Sequence, residues 1–216
     1  MTESSDRRTL PVFVLRNSVL FPHQMLPLVA GRPSAMSAVE AALGTEDKAL
    51  VVASPLEEDN EEPRFGDLFT FGTLAVIKKM ARADGVIQFV VQGIERVKLL
   101  KATDEEAFIQ AEVESVPRPE DWDTRIEALH REVLEEASKI LSLVNPQAQA
   151  ALTQMIEQVE APLHQVYVLS SLLSLKLVDE QRLLSAATCP CWTINKCIRW
   201  RLPTTVLFDA SVCRWI

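Results

Sequence analysis

The tripeptide Pro117-Arg118-Pro119 divides this chain into two different kinds of sequence. Neither proline can donate to a β-ladder, so a sheet reaching residue 116 has to stop there. Before the tripeptide, apolar residues come in short runs or alternate with polar ones. After it they recur at helical spacing. Trp122, Ile126, Leu129, Val133, Ala137, Ile140 and Val144 step by three or four, predicting a long amphipathic helix. Glu127 with Arg131 and Glu135 with Lys139 add favourable pairs on its outer side. The division predicts a β-rich sub-domain over 10–116 and a helical one over 120–187. A tail, 188–216, differs in composition from both.

Within the front part, LPVFVL at 10–15, Met25 to Val29 and ALVVA at 49–53 are apolar and β-compatible. The last is a continuous apolar run suited to a strand buried on both faces. Gly72 to Met80 and Val86 to Val91 flank Ala-Asp-Gly at 83–85, where Asp-Gly signals a hairpin. Val97 to Leu100 and Phe108 to Val116 predict two more strands. One helix interrupts them, with Pro33 in its first turn, Met36, Val39, Ala42 and Leu43 on one face, and Gly44 at its end. The acidic run between Pro55 and Asp67 reads as a solvated loop. All six glycines lie at or before Gly93, and this part alone uses glycine for its turns. Beyond Pro119, Asn145-Pro146 starts a second helix over about 146–159, Ala161-Pro162 a third, and Asp179 caps a short fourth.

Charge and cysteine usage narrow the function. The chain of 216 residues carries a net charge of −8, unevenly placed. The tail from Cys189 holds Lys196, Arg199, Arg201 and Arg214 against Asp209, leaving −11 on the body. A body of that charge repels phosphate, so nucleic acid is an unfavourable partner. No apolar run is long enough to span a bilayer, and the N-terminus lacks an apolar signal segment, predicting a soluble, cytoplasmic protein without a membrane partner. Cys189, Cys191, Cys197 and Cys213 lack the paired Cys-x2-4-Cys spacing of zinc sites, so reduced thiols and no metal are expected.

Several motifs of the front part occur together in one known family. Leu15-Arg16, a short turn into Phe21-Pro22, the strand Leu26 to Val29 and Gly31-Arg32 follow in order. GDLFTFGTLAVI at 66–77 and VQGIERV at 91–97, with its Gly93-x-x-Arg96, come later with compatible spacing. Over about residues 10–187 the chain resembles the N-terminal, substrate-binding domain of the Lon proteases. The resemblance implies an α+β fold: a mixed β-sheet pseudo-barrel (PUA-like) with one packed helix, then an α-helical bundle. It also implies a non-catalytic domain that binds unfolded or extended polypeptides for protein degradation, with self-association as a further expectation. The tail departs from the family at Cys189 and reads as foreign to the domain, a shifted frame or truncated gene rather than a selected extension.

No glycine-rich loop precedes Lys-Ser or Lys-Thr, and no serine sits in Gly-x-Ser-x-Gly. The chain is therefore expected to need no cofactor, to hydrolyse no ATP and to cut no peptide. His23, His130 and His164 are scattered, with His130 read as a solvated helix residue. For polypeptide binding the candidates are Phe21, Pro22, Met25, Leu26 and Arg32. Apolar, flexible side chains accept many extended segments. Met25 and Leu26 are also consistent with filling the sheet core, and Arg32 with pairing to a nearby carboxylate. Two alternatives stay open: the front of an ATP-dependent Lon serine protease, and a PUA-like module for RNA or a small ligand.

Overall fold

A computed structural model describes residues 7–57, 59–83, 85–118, 123–144, 161–172, 175–187 and 194. Its elements are β1 (Arg7–Val14), β2 (Met25–Ala30), α1 (Pro33–Leu43), β3 (Ala49–Ala53), β4 (Phe71–Ala83), β5 (Val86–Asp104) and β6 (Gln110–Val116). Three helices follow: α2 (Thr124–Val144), α3 (Pro162–Leu172) and α4 (Leu177–Ser185). The predicted second helix and the four cysteines lie outside the described residues. Two compact units emerge, Met1–Arg118 with Lys176–Ser185, and Pro119–Leu175 with Ala186–Ile216.

The first unit is a six-stranded mixed sheet in the order β2-β5-β4-β3-β1-β6, with β6 pairing back onto β5. Five strands thus close into a ring, and β2 lies outside it. Only the β1–β3 pair is parallel. The ring closes because β5 is 19 residues long. Its first half takes β2 and its second half takes β6. The sequence predicts two strands here, Val86 to Val91 and Val97 to Leu100, yet one strand runs through both and through Gly93 between them. A Cβ at that position would run into the Phe21 carbonyl, so the glycine admits a close backbone approach rather than a turn. The turn is at Gly85, whose φ of +77° suits glycine.

Side chains alternate across the sheet into two cores. Val12, Val51, Leu74, Val97 and Val113, one from each ring strand, pack together on one face. Phe13, Val52, Ala75, Ile77, Phe89 and Val91 pack with Val39 and Ala42 of α1 on the other. β3 serves both faces and is buried along its whole length, as its unbroken apolar run predicts. Phe13 and Phe89 meet edge to face at 5.2 Å, a geometry worth about 1 kcal/mol beyond area burial.

α4 belongs to this unit, whereas the sequence division assigns it to the helical part. Its buried residues explain the difference. Leu177, Leu183 and Leu184 face inward with Glu180 and Gln181. Gln181 Nε2 donates to the Phe71 carbonyl at 2.6 Å, and the Val19 amide donates to Glu180 Oε2 at 2.9 Å. Arg96, 4% exposed, donates to the carbonyls of Leu184 and Pro117 at 3.1 and 2.6 Å. Three buried leucines at about 2 kcal/mol each outweigh the few polar contacts that α4 could make in water.

In the second unit, Asp123 caps α2 by accepting from the Ile126 amide at 2.8 Å. α2 packs on α3. Val133 and Ala137 of the predicted stripe are buried, and so is His130, which the sequence pattern puts on the solvated side. Its ring bonds the Pro162 backbone, and burial lowers its pKa. Val166, Tyr167, Leu169 and Ser170 of α3 are buried, and Ile194, the one described residue of the tail, is buried too.

Candidate functional site

The five candidate residues do not form one surface. Phe21 is fully buried and Pro22 is buried beside it. The turn they occupy is clamped to β5: the His23 amide donates to the Gly93 carbonyl, and the Gly93 amide to the Gln24 carbonyl, both at 2.9 Å. His23 holds this turn at φ +66° and its Nε2 lies 2.6 Å from an Arg118 nitrogen. Burial and the Arg118 charge lower its pKa. Leu26 is half-buried against the α1 core. Met25 is 60% exposed and Arg32 is exposed as well. Architecture therefore claims Phe21 and Pro22.

Met25 sits on a face the sequence only partly signalled. Strand alternation puts Met25, Pro27 and Val29 of β2 outward, while Leu28 and Ala30 are buried. Across β5, Pro27 pairs with Val90 and Val29 with Gln88. The outer face of β2 and the first half of β5 is thus mostly apolar, with Val29 as exposed as Met25.

The same strand borders a cleft of about 980 Å³ within the first unit. Val12 to Arg16 line it on one side and Pro27 to Val29 on the other. The start of α1, Glu61 to Arg64 of the acidic loop and Glu105 to Ile109 complete it. Arg32 stands on its margin with Arg16. Arg16 Nη2 donates to the Asn60 carbonyl at 2.6 Å and also to the Glu61 carbonyl, and Arg32 Nη1 donates to that same Glu61 carbonyl. Arg32 thus bonds the main chain of the acidic loop and not a carboxylate. The loop is tied down rather than merely solvated, and the Phe65 amide adds a bond to Glu105 Oε1 at 2.7 Å. Sequence reasoning missed this cleft. The available signal was two arginines, each at the end of a β-strand run, facing one strongly acidic loop.

Among the described residues no group of three or more His, Cys, Asp or Glu side chains is placed to hold a metal. The cleft and its neighbouring face offer apolar surface, backbone edges and carboxylates. Those are means of holding a chain.

The first unit is an α+β domain whose mixed sheet closes on itself around one apolar core. The family described as ATP-dependent protease La (LON) substrate-binding domain matches residues 9–190. The chain belongs to that family. The Lon protease of Nitrosococcus oceani is 45% identical over 183 residues, 85% of this chain and 24% of that protein. The Lon protease of Koribacter versatilis is 37% identical over 188 residues, covering 86% and 23%. The chain thus spans about a quarter of the length of these relatives. The N-terminal domain of the Mycobacterium avium complex Lon protease superposes with a TM-score of 0.72 at 21% identity, covering 89% of this chain and 97% of that one. That likeness establishes the fold.

The motif residues picked out in the sequence have distinct positions in this fold. Gly93 admits Phe21, and Arg96 ties the end of α4 to the exit of β6. Arg16 and Arg32 anchor the acidic loop.

Proposed function

We propose that this domain captures unfolded or extended polypeptide for degradation by a Lon-type protease, without catalysing cleavage itself. The observation that carries this reading is the exposed apolar face of β2, where Met25 and Val29 are 60% and 59% exposed. Side chains so exposed gain from covering by another chain, about 1–2 kcal/mol each for the surface still open. The motor and the peptidase would be supplied by other modules of such a protease. The ring-closed sheet supports a pseudo-barrel of PUA type, and the packing of α2 on α3 supports a helical bundle. A net charge of −8 favours polypeptide over nucleic acid. No helix among the described residues is long and apolar enough to cross a membrane, in keeping with a cytoplasmic setting. The apolar face would also support self-association.

The test is binding of the full chain to a permanently unfolded protein such as β-casein, read by fluorescence polarisation. Replacing Met25→Glu and Val29→Glu together is expected to weaken binding at least about tenfold, roughly 1.4 kcal/mol, with an unchanged thermal midpoint. Undiminished binding by that variant would overturn the reading.

A further inference from the structure

We propose that the cleft takes an extended basic and apolar segment as an additional β-strand on the open edge of β2. This rests on the polypeptide-capture reading above and specifies how the chain is held and which chains are preferred. Three successive residues of β2 and five of the β1 run border the cleft. Because successive side chains point to opposite faces, a cleft bordered by consecutive residues is lined by strand edges. Two strand edges face into one space, and among the described residues β2 has β5 as its one strand partner.

The phase of the β2 ladder shows which groups are available. The Gly93 amide bonds the Gln24 carbonyl, and in an antiparallel pair the bonded residues recur at every second position. Leu26, Leu28 and Ala30 therefore turn their backbone groups to β5. Met25, Pro27 and Val29 turn theirs away from it. Pro27 fits this phase, since it has no amide to give β5. The edge offers the amides of Met25 and Val29 and the carbonyls of all three, over about 13 Å of strand. Across the cleft, β1 leaves β6 after the Pro11–Gln110 pair; the Val12 amide still bonds the Ile109 carbonyl at 2.8 Å, and past it the continuation keeps β3 as its strand partner. The strand directions make β1 and β2 antiparallel. A segment added antiparallel to β2 would run parallel to β1.

Charge selects the occupant. Glu61, Glu62, Glu105 and Glu106 lie on the margin with Arg16, Arg32 and Arg64, which leaves it one net negative charge, and Arg16 and Arg32 are turned to carbonyls of the acidic loop. An apolar floor under an acidic margin complements apolar residues interleaved with Lys or Arg, and repels acidic segments. Main-chain bonding supplies affinity without fixed side-chain readout, the mode of strand addition.

The test titrates the full chain with three labelled peptides of about ten residues, long enough to cover the edge. One alternates Val and Lys, the second alternates Val and Glu, and the third is the Val-Lys peptide N-methylated at alternate amides. The Val-Lys peptide is expected to bind at least about tenfold more tightly than either of the others, and more weakly as salt rises. Val29→Pro removes one outward amide without touching the β5 ladder and should weaken it about fivefold or more. Val29→Ala, which keeps the amide, should weaken it less. Equal binding of the N-methylated peptide overturns strand addition while leaving polypeptide capture intact. Equal binding of the Val-Glu peptide overturns the charge selection. Should neither the Val-Lys peptide nor unfolded β-casein bind, the underlying reading fails with it. The peptide comparison stands even if the proline variant does not fold.

Discussion

Glu180 is a carboxyl in the wrong solvent. It is 6% exposed, and burial raises its pKa from an ordinary 4.5 to about 7, against the opposing bond from the Val19 amide. The folded chain keeps this proton where the unfolded chain has released it. Stability from this group is therefore complete below about pH 4.5 and is lost as pH rises through about 7. Glu180→Gln keeps an acceptor for Val19 and cannot ionise. At pH 8 it is expected to unfold later than the parent by an amount on the order of 2 kcal/mol, and at pH 4 to match it, by urea titration at both values. His23 and His130, with lowered pKa values, push the other way on acidification, and the comparison with the parent cancels them. Gly93 makes a second prediction at this scale. Gly93→Ala places a methyl against the Phe21 carbonyl, a backbone atom that cannot rotate away. A loss of about 2 kcal/mol is expected, about 4–8 °C in the calorimetric midpoint for a chain of this size.

Elements defined by local chemistry are legible in the amino-acid order alone. β3 is marked by five apolar residues, α1 by Pro33 and a 3–4 spacing, and the β4–β5 turn by Asp84-Gly85. What local pattern cannot report is a partner distant in sequence. Phe21 and Pro22 look like a surface motif until Gly93 is seen beneath them, and His130 sits on a charged stretch yet faces α3. α4 shows the same limit, because its inward polar residues meet their partners far away in sequence, Gln181 at Phe71 on the sheet and Glu180 at Val19 between β1 and β2. A chain ending at Leu175 should therefore expose the sheet surface that α4 covers. Its β5 amides are expected to exchange hydrogen faster than those of a chain ending at Ala187, by mass spectrometry. Equal protection in both chains would make α4 an ornament of the first unit.

At the scale of the whole molecule, the acidic character and the division into units matter most. A pI near 5.0 places the solubility minimum close to that pH. Turbidity of the full chain measured between pH 4 and 8 checks this, with a maximum expected near pH 5.

The first unit is discontinuous along the chain, its closing helix lying beyond the whole of Pro119–Leu175. A ribosome delivers residues in order, so the sheet emerges before the helix that covers it. At ordinary elongation rates the wait is about 3–13 s, long compared with hairpin formation. During that interval the surface awaiting Leu183 and Leu184 lies open, and Arg96 has a Pro117 carbonyl but not yet that of Leu184. Nascent chains arrested with Ser185 still inside the exit tunnel should stay protease-sensitive in β5, and become resistant once that residue has cleared it. The Pro119–Leu175 part of the second unit emerges before the first is finished and its Ala186–Ile216 part only after α4, so the two units are interleaved in the order of their synthesis.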